Sequence, residues 1–203
     1  MKFDLSEEQQ LLADSVQRFL ERDYTFEKRK AVVASDAGYS PDAWKAIADL
    51  GLLALPVPTD HGGFGGTAVD VMPVMERFGG ALVVEPYLST LMCARMLNSG
   101  THPDLAASLA AVAEGQLKLA FAHTEDGARY DLNHVAATAR LEGDGYVLDG
   151  VKRFAMHGPQ ADRLLISART SHPCSLLLPT SRLKPSQPSP MDWWRTTPSM
   201  ETC

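Results

Sequence analysis

Cysteine is scarce in this sequence, and it has neither a basic excess nor a long apolar run. Three cysteines among 203 residues, Cys93, Cys174 and Cys203, are too few and too scattered for a disulfide framework or a zinc ligand set. No stretch approaches the ~18 consecutive apolar residues that a membrane-spanning helix needs. The opening Met1-Lys2-Phe3-Asp4-Leu5-Ser6-Glu7-Glu8 has acids where a secretory leader would carry its apolar core, so the chain reads as cytoplasmic. Acidic side chains outnumber basic ones 25 to 19, a net charge of −6. That balance argues against a nucleic-acid backbone or an anionic membrane surface as the main partner. The six histidines (His61, His102, His123, His134, His157 and His172) show no His-x-x-x-His pair and no Cys/His spacing, so no metal site is expected. A Gly-x-Ser-x-Gly elbow and a Ser-His-Asp order are also missing. What remains is an ordinary globular composition, 45% hydrophobic and 22% charged, with room for one large domain or two small ones.

The first part of the chain has a helical period. Residues 6–22 predict an amphipathic helix: Ser6 and Gln9 have capping-box spacing, and Leu12, Val16, Phe19 and Leu20 share a face. Ser40-Pro41 starts a second helix with Trp44, Ile47 and Ala48 inward and Gly51 as its stop. Leu52 to Pro58 reads as a short extended run leading into the loop Asp60-His61-Gly62-Gly63-Phe64-Gly65-Gly66. Residues 68–79 and 87–98 are expected to be helical, with Pro73 in the first turns or at a kink of the former. A further helix runs from His102-Pro103-Asp104 to Glu114-Gly115.

At Gln116 the period changes from 3.6 to 2. Leu117–Ala122 and Val135–Leu141 read as strands, and Gly143-Asp144-Gly145 is a tight turn to the hairpin partner Tyr146–Gly150. Arg153–Met156 and Arg163–Arg169 read as further strands. The fold class is therefore α+β: an N-terminal all-α helical domain over 1–115, then an incomplete antiparallel β-barrel over 116–170. Residues 171–203 hold six of the thirteen prolines, none of the fifteen glycines and the pair Trp193-Trp194. This tail is either a disordered Pro/Ser-rich segment or a stretch read out of frame, and the missing glycine and paired tryptophans favour the second.

Two local features invite a chemical reading, and each has a plainer one. The glycines at 62–66 could cradle an anion with backbone N–H groups. They lack a Gly-Lys-Ser/Thr ending and a strand–helix crossover, so a structural loop is the better reading. Thr124-Glu125-Asp126-Gly127 follows a strand at once, where hydroxyl and backbone groups are presented to ligands, yet taken alone it is an ordinary turn.

The order of the pieces resembles the acyl-CoA dehydrogenase family. The resemblance rests on Phe3-Asp4-Leu5-Ser6-Glu7-Glu8-Gln9, Gly51-Leu52-Leu53-Ala54-Leu55-Pro56, His61-Gly62-Gly63-Phe64-Gly65-Gly66, Leu119-Ala120-Phe121-Ala122-His123-Thr124-Glu125, Gly145-Tyr146-Val147-Leu148-Asp149-Gly150-Val151-Lys152 and Ala161-Asp162-Arg163-Leu164-Leu165-Ile166, in that order over residues 3–170. Within the family, Phe121–Glu125 and Ala128-Arg129-Tyr130-Asp131-Leu132 look most like pimeloyl-CoA dehydrogenase small subunits.

The resemblance implies a flavoenzyme that binds FAD and converts an acyl-CoA thioester to the 2-enoyl-CoA, passing electrons to an acceptor protein. It also implies a homo-oligomer, or a hetero-oligomer with a second dehydrogenase subunit. On matching positions, Phe121, His123 and Thr124 would line the flavin, and Phe154, Ala155 and Met156 would form a second flavin-contacting strand. Arg129 and Tyr130 would reach the cofactor diphosphate or the CoA arm. The second strand reads Phe154-Ala155-Met156 where the family has Trp-x-Thr, and methionine cannot donate a hydrogen bond. The family's catalytic glutamate belongs to a C-terminal four-helix domain, expected here to be missing, so no catalytic residue is assigned. The chain is expected to be a fragment without activity of its own; the alternative is a non-catalytic subunit or binding module that docks a partner dehydrogenase.

Overall fold

The computed structural model describes residues 4–100, 104–143, 145–170, 175–179 and 200–202. Residues 1–3, His102, Pro103, Asp144, His172, Cys174, Cys203 and the Trp193-Trp194 pair, which entered the readings above, lie outside the described residues. The chain separates into two compact units, one of residues 1–87 with 106–116 and one of residues 88–105 with 117–203.

The first unit is helical. Helix α1 (Glu7–Asp23) starts as the sequence predicts: the Gln9 N–H donates to Ser6 Oγ and the Ser6 N–H to Gln9 Oε1. Its inward face is Ala13, Val16, Phe19 and Leu20. Helix α2 (Phe26–Val33) buries no residue, so its sequence has no apolar stripe from which to read it. Helix α3 (Pro41–Asp49) is capped by Ser40 and followed by Gly51 at φ +71°, and it buries Trp44, whose indole N–H donates to the Gly115 carbonyl at 2.7 Å. Helix α4 (Ala68–Ala81) is capped by Thr67 and Asp70, and Gln9 reaches Asp70 Oδ1 at 2.9 Å, tying α1 to α4. Pro73 sits in the second turn of α4, where it removes one main-chain hydrogen bond.

Leu52–Pro58 is not extended, as the apolar run led us to expect, but a succession of turns. The physical reason lies in the glycine loop. The N–H groups of Gly63, Phe64, Gly65 and Gly66 donate to the carbonyls of Pro58, Ala54, Val57 and Leu55, curling the run back on itself. A Cβ on Gly63 would stand 2.0 Å from the Val57 carbonyl oxygen, so only glycine permits this approach. These donors are taken up internally, as a structural loop requires.

The second unit carries helix α5 (Tyr87–Leu97, from Leu88 on) and the strands; helix α6 (Leu105–Ala113) belongs to the first unit from Ala106. Strand β1 (Leu119–Ala122) pairs in parallel with β4 (Arg163–Ala168), β4 pairs antiparallel with β5 (Ser175–Pro179), and β5 pairs antiparallel with β6 (Met200–Thr202). Strands β2 (Thr138–Glu142) and β3 (Gly145–Asp149) form the expected hairpin, with Thr138 opposite Asp149 and Glu142 opposite Gly145. The hairpin joins the larger sheet through the Ala139 N–H to the Arg169 carbonyl and the Arg169 N–H to the Ala137 carbonyl. Ala120, Ala122, Ala139, Leu148, Ala161, Leu164, Ile166 and Ala168 close its core. A helical N-terminal region followed by a small sheet is thus the architecture, and among the described residues no closed barrel forms. Of the Pro-rich stretch, only β5 and β6 are described, both as sheet strands. Among the described residues no helix is long and apolar enough to cross a membrane.

Candidate functional site

The end of β1 gathers the polar chemistry of the second unit. β1 is apolar and buried up to Ala122; beyond it the chain leaves the ladder and presents His123, Thr124 and Glu125. The rings of Phe121 and His123, two residues apart on one strand face, stack at 5.3 Å with planes 13° apart. Thr124 is exposed, whereas Glu125 turns inward and is only 6% exposed.

Burial of a carboxylate demands partners, and Glu125 has several. Its Oε1 accepts from Lys152 Nζ at 2.6 Å and from the Ala137 N–H at 2.9 Å, while Oε2 accepts from the Ala136 N–H at 2.5 Å. His134 Nε2 lies 3.8 Å from Oε2. Burial pushes the Glu125 carboxyl up, but the Lys152 ammonium and the two N–H donors outweigh it and hold the group below its ordinary value. Lys152 is itself 3% exposed and also donates to Ser167 Oγ at 3.0 Å and to the His123 carbonyl at 3.2 Å. One ammonium therefore ties β1, β4 and the segment after β3 together.

That segment does not form the strand expected over Arg153–Met156. Phe154 and His157 adopt φ +53° and +58°, left-handed values that interrupt an extended run. The segment is held instead by the Arg153 N–H donating to the Thr124 carbonyl at 2.7 Å and by a two-pronged pairing of the Arg153 guanidinium with Asp126 at 2.8 Å. The Arg153 contact keeps the Asp126 carboxyl below its ordinary value. Phe154 and Met156 stand out into solvent, 76% and 63% exposed, and Ala155 is half-buried. Burial lowers the neighbouring His157 imidazole.

The structure thus brings Phe121, His123 and Thr124 beside the segment that carries Phe154, Ala155 and Met156. Arg129 and Tyr130 ride on the turn after Asp126, Arg129 at φ +49° and Tyr130 fully exposed. No described contact joins either of them to Thr124. The sequence reading did not single out the Glu125–Lys152–Ser167 cluster. A signal for it was present: Ser167 is the one hydroxyl in the apolar run Leu164-Leu165-Ile166-Ser167-Ala168, and a buried polar side chain implies a partner.

Residues 6–116 match the family model "Acyl-CoA dehydrogenase, N-terminal domain". The chain is 32% identical over 160 residues to a 3-(aryl)acrylate reductase of Clostridium sporogenes, covering 75% of this chain and 42% of that protein. It is 29% identical over 174 residues to a short-chain-specific acyl-CoA dehydrogenase of Clostridium acetobutylicum, covering 84% of this chain and 45% of that one. The ChsE4-ChsE5 complex from Mycobacterium tuberculosis shares the fold, with a TM-score of 0.82 at 21% identity over 100% of this chain and 57% of that one. The chain spans less than half the length of these two curated relatives. With the family's N-terminal model matched over more than half of its residues, the chain belongs to the acyl-CoA dehydrogenase family.

Proposed function

We propose that this chain contributes the flavin-facing wall of an acyl-CoA dehydrogenase site, in which FAD and an acyl-CoA thioester are held for α,β-dehydrogenation. The observation that carries the reading is the 2.7 Å bond from the Arg153 N–H to the Thr124 carbonyl, which joins the segment of exposed Thr124 to the segment of exposed Phe154 and Met156. A flat ring with apolar faces and a hydrogen-bonding edge suits that set: Phe154 and Met156 offer apolar surface, and Thr124 offers a hydroxyl. FAD, when bound, supplies the hydride acceptor that no side chain can provide. Phe121, His123 and Thr124 would hold one edge of it, and Phe154, Ala155 and Met156 another. Arg129 and Tyr130 are proposed to meet the anionic parts of cofactor or CoA. Glu125 is not the proton-abstracting base, because its oxygens already accept from Lys152, Ala136 and Ala137 behind the strand end. The base, and with it turnover, is proposed to come from outside residues 1–203.

A second reading is a non-catalytic subunit that docks a partner dehydrogenase. Two observations favour it: Met156, which cannot donate a hydrogen bond, and the two-protein complex among the fold neighbours. The experiment is titration of the full chain with FAD, followed by flavin absorbance and fluorescence. Binding with a perturbed flavin spectrum, weakened in Thr124→Val, is expected; a chain that leaves the flavin spectrum unchanged refutes the first reading in favour of the second.

A further inference from the structure

The cluster behind the strand end has a directional logic that reaches the site. Lys152 Nζ has three protons and three acceptors: Glu125 Oε1 at 2.6 Å, Ser167 Oγ at 3.0 Å and the His123 carbonyl at 3.2 Å. An ammonium only donates, so Ser167 Oγ must accept from it. Ser167 is 1% exposed, so its own hydroxyl proton also needs an acceptor, and His123 Nδ1 lies 2.9 Å away. The parallel register makes this contact unavoidable: Phe121 faces Leu165 and Ala122 faces Ile166, so His123 arrives beside Ser167. A proton on Nδ1 would leave the Ser167 hydroxyl with two donors aimed at its oxygen and its own proton stranded. The proton of the neutral imidazole is thereby driven to Nε2. That nitrogen lies across the ring from Ser167, on a half-buried side chain adjacent to exposed Thr124.

We propose that Lys152 and Ser167 are positioning residues that fix His123 in its Nε2–H form, so that His123 presents a hydrogen-bond donor beside Thr124 to the cofactor edge. The proposal rests on the flavin-site reading for its ligand and on the local geometry alone for the tautomer. Glu125 supplies the charge that keeps the ammonium in place, and the Ala136 and Ala137 N–H groups hold Glu125. The line of donation runs in one sense, Lys152 to Ser167 to His123. Phe121, stacked on the imidazole, holds the ring plane.

The test labels the histidines of the full chain with ¹⁵N and reads their ring nitrogens by long-range ¹H–¹⁵N correlation, His123 being assigned by its loss in His123→Gln. Nδ1 of His123 is expected to be unprotonated and hydrogen-bonded in the wild type, with the Nε2–H form favoured about tenfold. Ser167→Ala, a small change inside a strand, is expected to move the Nδ1 resonance to its unbonded position. A general loss of packing would not select that nitrogen. FAD titrations of His123→Gln, which retains an N–H donor near Nε2, and of His123→Met, which does not, complete the test. The first should stay within about threefold of wild type and the second should weaken about fivefold. A proton on Nδ1, or an Nδ1 resonance unmoved by Ser167→Ala, overturns the relay even if FAD binds. Equal weakening in the two His123 variants overturns the donor role. A wild-type chain that binds no flavin refutes the site reading, and the ligand role of His123 with it, while the tautomer measurement still decides the relay.

Discussion

Replacing Lys152 by methionine tests the centre of the second unit most directly. The change keeps the length and apolar stem of the side chain and deletes the ammonium, and with it the bonds to Glu125 at 2.6 Å, Ser167 at 3.0 Å and His123 at 3.2 Å. Glu125, 6% exposed, is left charged and buried, with the N–H groups of Ala136 and Ala137 as its strong remaining donors. Breaking a buried ion pair from one side costs about 3–5 kcal/mol, and the two retained N–H donors place Lys152→Met near the lower end, about 3 kcal/mol. Against a total stability of about 5–15 kcal/mol this is a large fraction. With a urea dependence of about 2 kcal/mol per molar, the midpoint followed by far-UV circular dichroism should fall by about 1.5 M. Glu125→Gln combined with Lys152→Met removes the orphaned charge and keeps an acceptor toward one of the two alanine N–H groups, so it should recover part of the loss. A Lys152→Met midpoint within about 0.5 M of wild type would mean that the pair behaves like an exposed one, worth under ~1 kcal/mol. That result, or a double variant weaker than the single, would refute the reasoning.

Three further outcomes are expected. Glu125 is held below its ordinary value in the folded chain, so the unfolded chain binds more protons near pH 4. Its contribution is therefore present above the ordinary glutamate pKa, about 4.3, and is lost as pH falls through the lower folded value; stability against pH below 5 should decline less steeply in Glu125→Gln than in wild type. Cys93 is fully buried and burial pushes its thiol up to about 12, so in a Cys174→Ser/Cys203→Ser background an aromatic disulfide reagent at pH 8 should label it only after urea is added. In the glycine loop, Gly63→Ala meets the Val57 carbonyl oxygen at 2.0 Å, whereas Gly62→Ala meets nothing within 4 Å and carries only the strain of φ +82°. Thermal melts should show a loss of about 1 kcal/mol for Gly62→Ala and a clearly larger one for Gly63→Ala; the reverse order would refute the close approach.

What the sequence determined by itself was local. The Ser6–Gln9 capping box, Pro41 at the start of α3, Gly51 at its end and the pairing of the β2–β3 hairpin depend on residues within a few positions of one another, and each stands where the pattern put it. Helix α2 escaped because a helix that buries nothing has no periodic face to read. Leu52–Pro58 and Arg153–Met156 were misread for a related reason. An apolar run looks extended until distant donors curl it, and Phe154 at φ +53° has no signature in its own side chain. The family was legible because its motifs recur in order along the chain. The proposed site was legible at Phe121, His123 and Thr124, within one of those motifs, and at Phe154–Met156, between two of them. Its supporting cluster was not, because Glu125, Lys152 and Ser167 are 27 and 15 positions apart in sequence and meet only when β1 pairs in parallel with β4. That pairing is a tertiary event. It turns a glutamate, a lysine and a serine, each unremarkable alone, into one buried ion pair with a hydroxyl between it and His123.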